Sequence, residues 1–461
     1  MKAVRVRFAP SPTGVPHIGN TRTALFNYLF ARHEKGKFIL RIEDTDRTRF
    51  VPGSLEKILQ ILKEVGIKWD EGPYIQSQRL KIYQDYAHQL VSQKKAYYCF
   101  CSKTRLAKLH GQGYDGHCLK LSSTEINLNL KQKKPYVIRL KVPKTGVTSW
   151  QDLIQGKIEF QNHLIDDQVL LKSDGYPTYH LAVVIDDYLM KISHVLRGAE
   201  WISSTPKHLL LYQAFGWPVP QIGHFSVILG PDRTKLSKRH GAKSLLDYLA
   251  EGYLVQALIS FMAYLGWSYH DNSEVLTLSR LIELFDLKKV RRANPIFDIK
   301  KLDYFNSKLI RQTPDKLLVQ LIKPYLRLSI SDSQLLRLLP LLKDRLIKLT
   351  DINDLADFFP GPVNPSCELI LDQIKLSPND TKKVLTQSLT AYKALKSWQN
   401  STLESLGHQL LIQTKLSPRQ LFMMFRVVLT AKTKTPPLFD IMAILGKAET
   451  IKRFKHAQNL F

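Results

Sequence analysis

Pro10-Ser11-Pro12-Thr13-Gly14-Val15-Pro16-His17-Ile18-Gly19-Asn20 is the stretch from which the fold is read. An apolar-alternating strand, Val4 to Phe8, precedes it. A segment from Thr21 to Arg32 follows, with Leu25, Tyr28 and Leu29 at helical spacing. His17 and Gly19 therefore fall at a strand-to-helix junction. Free backbone N–H groups and the positive end of the helix dipole favour phosphate there, and a glycine lets a nucleotide approach the backbone. Alone, the stretch would read as a proline-punctuated turn. A second segment changes that: Gly230-Pro231-Asp232-Arg233-Thr234-Lys235-Leu236-Ser237-Lys238-Arg239-His240-Gly241 sets Arg233, Lys235, Lys238 and Arg239 close together between glycines. Transfer at phosphorus is catalysed mostly by positioning and charge stabilisation. The ordered pair reads as an ATP triphosphate clamp.

Composition widens the reading. The chain has 461 residues, with 67 Lys and Arg against 40 Asp and Glu, a formal charge of +27. The length suits about three domains, and the excess positive charge points to a polyanionic partner, nucleic acid first. The start, Met1 to Arg7, lacks the apolar core and cleavage site of a secretory signal. No apolar run approaches membrane-spanning length, so a cytoplasmic location is expected. Of four cysteines, Cys99, Cys101 and Cys118 are bunched and Cys367 is distant, which suits a local metal site better than a disulfide framework.

Along the chain, residues 1–98 alternate strand and helix. Lys37 to Ile42 reads as a second strand running into Glu43-Asp44-Thr45-Asp46, and helices are expected over Ser54 to Val65 and Arg79 to Val91. Such units pack as an open parallel sheet with helices on both faces and ligand at the carboxyl ends of the strands. From 99 to 187 the texture changes to cysteines, a polar region from Leu119 to Lys134 and β-branched runs such as Tyr136 to Val142. This region reads as an insertion that splits the sheet. The α/β pattern resumes over 188–244, with a strand over Ile192 to Arg197 and an amphipathic helix over Thr205 to Phe215. Beyond 244 the chain turns helical, divided here into 245–320 and 321–461. Ser377-Pro378 and Ser417-Pro418 mark helix starts, and Ser401-Thr402-Leu403-Glu404 fits a capping box.

With these segments in place, the chain resembles the class I aminoacyl-tRNA synthetases, and in detail the bacterial glutamyl-tRNA synthetase family. The resemblance rests on His17-Ile18-Gly19-Asn20, Arg41 to Asp46, Ser173-Asp174-Gly175-Tyr176-Pro177-Thr178-Tyr179-His180, Lys235-Leu236-Ser237-Lys238-Arg239 and the ending Pro437 to Lys447. It implies an α/β fold: a Rossmann-like class I synthetase catalytic domain split by an inserted acceptor-stem-binding domain, followed by a helical stem-contact segment and an all-helical anticodon-binding region. It also implies ligation of L-glutamate to tRNA through a glutamyl-adenylate, from ATP with Mg2+, with tRNA bound before activation. The partners implied are tRNA(Glu), with tRNA(Gln) as the alternative, and a monomeric enzyme.

Residue by residue, the resemblance makes His17, Lys235 and Lys238 catalytic, and gives ATP to His17, Gly19, Asn20, Ser237 and Lys238. It gives glutamate to Arg7, Ser11, Glu43, Tyr179 and Arg197, with Arg7 and Arg197 as bidentate carboxylate partners and Glu43 toward the ammonium group. Two departures border this pocket: Val183 where some relatives carry asparagine, and Ala199 where an acid is expected. Cys99, Cys101, Tyr114 and Cys118 resemble a zinc-binding insertion. Some relatives place a histidine where Lys120 stands, which makes Tyr114 the expected fourth donor, with His110 and His117 as alternatives. Arg419, Arg426, Lys432 and Lys434 are the expected tRNA contacts of the C-terminal region. Glutaminyl-tRNA synthetase is the near rival, disfavoured by Arg197 and by the helical C-terminal third. A truncated relative that modifies a tRNA base is disfavoured by length, and a non-catalytic tRNA-binding paralogue by the two intact signatures.

Overall fold

The computed structural model describes residues 3–109, 113–236, 243–269 and 275–461. The chain divides into two compact units, one comprising Met1–Ala250 with Val255–Leu302, the other Glu251–Leu254 with Asp303–Phe461. The division falls inside 245–320, the segment expected as one helical domain.

In the first unit β1 (Arg5–Phe8), α1 (Ile18–His33), β2 (Lys37–Ile42), α2 (Ser54–Glu64) and β3 (Glu71–Ile75) build a three-stranded parallel sheet in the order β1-β2-β3. All residues of β2 after Lys37 are buried, as fits a parallel strand covered on both faces. After α3 (Leu80–Ser92) come β4 (Ala96–Cys99), α4 (Lys103–Ala107), α5 (Ser123–Lys131), β5 (Val137–Leu140), β6 (Val147–Asp152), β7 (Gly156–Gln161) and β8 (Val169–Leu171). β4, β5 and β8 form a separate antiparallel sheet. α6 (Tyr179–Leu189), β9 (His194–Gly198), α7 (Thr205–Phe215) and β10 (Gln221–Phe225) return to the parallel pattern, β10 lying between β9 and β6. Ser193 links this sheet to that of β1: its N–H donates to the Arg5 carbonyl at 3.0 Å and its hydroxyl accepts from the Arg5 N–H at 2.7 Å.

Several expectations change here. The expected insertion 99–187 is not a separate block, because β6 and β7 lie on the sheet that carries β9 and β10. The polar stretch Leu119 to Lys134 holds α5, started by a capping box between Ser122 and Glu125. The first helix begins at Ile18 rather than Thr21, because His17 itself is the cap.

The first unit continues through α8 (Leu245–Ala250), α9 (Val255–Tyr264) and α10 (Leu278–Leu284), and α11 (Ile299–Gln312) leads on to the second unit. The second unit is helical among its described residues: α12 (Asp315–Ile322), α13 (Asp332–Leu342), α14 (Ile352–Leu355), α15 (Cys367–Ile374), α16 (Pro378–Ala394), α17 (Asn400–Thr414), α18 (Pro418–Thr430) and α19 (Leu438–Gln458). Ser377 and Ser417 cap α16 and α18 with proline at the first position, as the sequence predicts. The Ser401–Glu404 box does not form; α17 starts earlier, with Gln399 and Thr402 as the reciprocal pair. No helix among the described residues is long and apolar enough to cross a membrane.

Candidate active site

The α1 N-terminus is built by His17. Its Nδ1 accepts the Gly19 N–H at 3.0 Å, which leaves the proton of the neutral ring on Nε2, as a donor. A Cβ on Gly19 would sit 2.8 Å from His17 Cε1, so any side chain there displaces the imidazole. A pocket at this point is lined by His17, Gly19, Asn20, Arg22, Thr23, Gly198, Glu200, Ser226, Val227, Ile228, Lys235 and Leu236. The two signatures, distant in sequence, thus meet. The Lys243 carbonyl accepts from the Ile18 N–H at 3.2 Å and Leu236 bonds to Ile228 at 2.9 Å, so the chain is tied here on both sides of 237–242. Ser237 and Lys238, expected to hold and activate the nucleotide, lie outside the described residues. Sequence reasoning missed Arg22 and Glu200. Arg22 is buried and donates to the carbonyls of Leu265 and Ser226; burial, opposed by Glu200, lowers its pKa to about 10, so it remains a cation at neutral pH.

The expected glutamate ligands gather on neighbouring strand ends and on α6. Arg7, on β1, is 4% exposed, and its Nε and Nη2 bond to Asp187 at 3.0 and 3.3 Å. That edge is engaged within the protein, and the end of the guanidinium formed by Nη1 and Nη2 is the part that can still face a carboxylate. Arg41 links Asp187, at 2.8 Å, to Glu43, at 3.0 Å. Burial opposes ionisation of Asp187, but Arg7 and Arg41 hold its pKa below the ordinary value. Glu43, where burial outweighs the same two arginines, is raised. Ser11 is exposed, in a loop tied to β2 and its extension by Glu43 N–H to the Pro10 carbonyl at 3.0 Å and Val51 N–H to the Pro12 carbonyl at 3.0 Å. Val183 is packed into the apolar core around α6, so that position offers no polar contact.

Arg197 differs from Arg7. It is 6% exposed, and among the described residues no carboxylate pairs with it. Its donors reach the Tyr179 hydroxyl at 3.0 Å, the Thr205 hydroxyl at 2.8 Å, the Trp201 carbonyl at 3.2 Å, His224 Nε2 at 3.2 Å and His208 Nδ1 at 3.3 Å. The phenol of Tyr179 accepts from Arg197 and keeps its own O–H to donate; burial, eased by Arg197, raises its pKa. The next residue along, Gly198, lines the pocket at the α1 N-terminus. A buried, uncompensated cation beside a phosphate pocket can hold an acid whose carboxylate is to react at phosphorus.

The three clustered thiols Cys99, Cys101 and Cys118 lie with their Sγ atoms within 4.8 Å of one another. The Tyr114 hydroxyl is 3.4 Å from Cys99 Sγ and 3.5 Å from Cys101 Sγ. Three convergent thiols offer three of the four donors that a tetrahedral zinc site takes, and the Tyr114 oxygen lies beside them. His110 lies outside the described residues.

The expected tRNA contacts fare unevenly. Arg426 donates to the Thr435 and Pro436 carbonyls and the Thr435 hydroxyl. Lys432 pairs with Asp357 at 2.7 Å and with the Asp354 carbonyl at 2.7 Å. Both are engaged in holding loops of their own unit. Arg419 and Lys434 are exposed.

Comparison with known proteins agrees with this layout. Residues 3–304 match the family model for class I tRNA synthetases (E and Q), catalytic domain, and residues 317–458 match that for an anticodon binding domain; the chain is a class I tRNA synthetase of the E and Q type. A glutamate–tRNA ligase of Dehalococcoides mccartyi is 43% identical, over 98% of this chain and 97% of the relative. One of Treponema denticola is 40% identical, over 98% and 99%. The crystal structure of a glutamate tRNA ligase from Elizabethkingia meningosepticum, in complex with its amino acid, superposes with a TM-score of 0.91 at 35% identity over 99% of both chains. Within the class, the chain belongs to the glutamate–tRNA ligase family.

Proposed function

We propose that the protein joins L-glutamate to tRNA in two transfers at this pocket. ATP, as its Mg2+ complex, is a substrate. In the first transfer an oxygen of the glutamate α-carboxylate bonds to the α-phosphorus, the bond to the bridging oxygen breaks and pyrophosphate leaves. In the second, a terminal ribose hydroxyl of tRNA attacks the acyl carbon, AMP departs and the hydroxyl proton passes to its phosphate. His17 donates from Nε2 and Lys235 supplies positive charge, with Lys238 assigned the charge at the α-phosphate; no protein nucleophile takes part. Arg197 and Tyr179 hold one glutamate carboxylate. The observation that carries this reading is the buried Arg197, which has no carboxylate partner among the described residues and lies one residue from the pocket at the α1 N-terminus.

The test is charging with labelled glutamate on separately purified tRNA(Glu) and tRNA(Gln), with labelled glutamine as control. Glutamate is expected on tRNA(Glu) and glutamine on neither; failure to charge either tRNA with glutamate overturns the reading. Zinc held by Cys99, Cys101, Cys118 and Tyr114 would cross-link the chain around β4 and supply no reaction chemistry. One zinc per purified chain is expected by elemental analysis, and a fully active chain free of zinc counts against the assignment.

A further inference from the structure

Arg197 sits within a run of side chains that none of its immediate ligands explains. Asp152, 1% exposed, accepts the backbone N–H groups of Ile154 at 3.0 Å, Gln155 at 2.9 Å and His224 at 3.1 Å. Its other oxygen lies 2.5 Å from His224 Nδ1. A carboxylate so surrounded by donors stays ionised, and as a pure acceptor it fixes the His224 proton on Nδ1. His224 Nε2 is left as an acceptor, 3.2 Å from Arg197 Nε.

On the other side, His208 Nδ1 lies 3.3 Å from Arg197 Nη1. A guanidinium only donates, so Nδ1 accepts and Nε2 carries the proton. That Nε2 lies 3.0 Å from His180 Nδ1, which accepts in turn. Every bond in the run Asp152–His224–Arg197–His208–His180 then has one donor and one acceptor with all three imidazoles neutral. Burial, followed by the charge of Arg197, holds His208 well below its ordinary pKa. Arg7, by contrast, meets a carboxylate in Asp187.

We infer that His208 and His224 are positioning residues of the glutamate site, two neutral acceptors that fix the plane of Arg197 without cancelling its charge. An acid at either place would satisfy the guanidinium equally well but would occupy it with an internal carboxylate, against which the substrate would have to compete. Two imidazoles in fixed tautomers avoid this, and Asp152 and His180 supply the fixing. This inference rests on glutamate being the substrate.

The test uses variants that keep or remove the accepting atom. His208→Asn retains an acceptor where Nδ1 lies and His224→Gln one where Nε2 lies; His208→Leu and His224→Leu retain neither. In tRNA-dependent ATP–pyrophosphate exchange, each leucine variant is expected to raise KM for glutamate by about 10–100-fold with KM for ATP within about twofold, and the amide variants to recover most of that loss. His208→Asp is expected to match or exceed His208→Leu, because it neutralises Arg197. Equal rises in both KM values, or amide variants no better than leucine, would overturn the inference. Should the leucine variants not fold, the isosteric pair decides: Asp impaired and Asn near wild type supports it, and equal KM for glutamate in the two sinks it. A wild-type chain whose melting temperature does not respond to glutamate and that charges no tRNA overturns instead the substrate reading beneath it.

Discussion

Two buried arginines, one in each unit, have different surroundings. In the catalytic unit Arg197 bonds to hydroxyls, two imidazoles and one carbonyl, and among the described residues no carboxylate answers its charge. In the helical unit Arg453, 2% exposed, donates to the carbonyls of Phe358 at 2.7 Å, Leu429 at 2.5 Å, Gly361 at 2.8 Å and Phe359 at 3.4 Å, and to Glu449 at 2.8 Å. There the guanidinium closes helix and loop ends that would otherwise leave buried acceptors unpaired. Burial alone does not distinguish a recognising cation from a bracing one. What distinguishes them is whether the protein answers the charge itself and whether a pocket opens beside it.

If that distinction holds, Arg197→Met removes the largest quantity. kcat/KM for glutamate in ATP–pyrophosphate exchange is expected to fall by at least about 100-fold under conditions where the variant is still folded; a loss of stability with unaltered kinetics would reverse the assignment. Arg453→Met is expected to do the opposite. It should cost about 3 kcal/mol of stability, seen as a lower denaturation midpoint, and leave KM for glutamate and ATP alone. Gly19→Ala tests the nucleotide side: pushing the His17 imidazole off its cap should raise KM for ATP about tenfold, and an unchanged KM would mean that His17 does not touch the nucleotide. Arg419→Ala should raise KM for tRNA by a few-fold, about 1 kcal/mol, whereas Arg426→Gln should act through melting temperature.

A further effect is on pH. His180 is lowered from 6.5 to about 4 by burial, then by Lys207 and Arg197. The folded form favours the neutral ring, so the contribution is complete above about pH 6.5 and is lost as pH falls to about 4. Stability should decline across that window in wild type and less steeply in His180→Asn, as followed by denaturant unfolding at a series of pH values.

Local patterns carried much of this. Lys37–Ile42 and Thr205–Phe215 have the ends that their apolar spacing predicts, and the Ser-Pro caps stand where they were expected. His17 and Lys235 are both on the pocket wall because a strand-to-helix turn and a basic loop each have a local signature. Asp187 was missed, although two adjacent acids in the otherwise apolar helix α6 demand buried cations, and Arg7 and Arg41 on buried strands were the available ones. The intramolecular partners of Arg426 and Lys432 were not legible, for the complementary reason. Their partners Thr435, Pro436 and Asp357 come from loops, and no periodicity records which side chain a loop carbonyl or carboxylate will meet.

The seam at Ser193 also orders the events of synthesis. Arg5 and Ser193 are 188 residues apart, and the pocket wall further needs Gly198, Ser226 and Lys235. A growing chain that has made β1 and β2 therefore carries β1 with one edge unpaired until Ser193 leaves the ribosome. Such edges invite pairing with other chains. Cover for the nascent N-terminal third, by a chaperone or by slow synthesis through the intervening residues, thus bears on how much active enzyme a cell obtains, independently of how stable the finished molecule is.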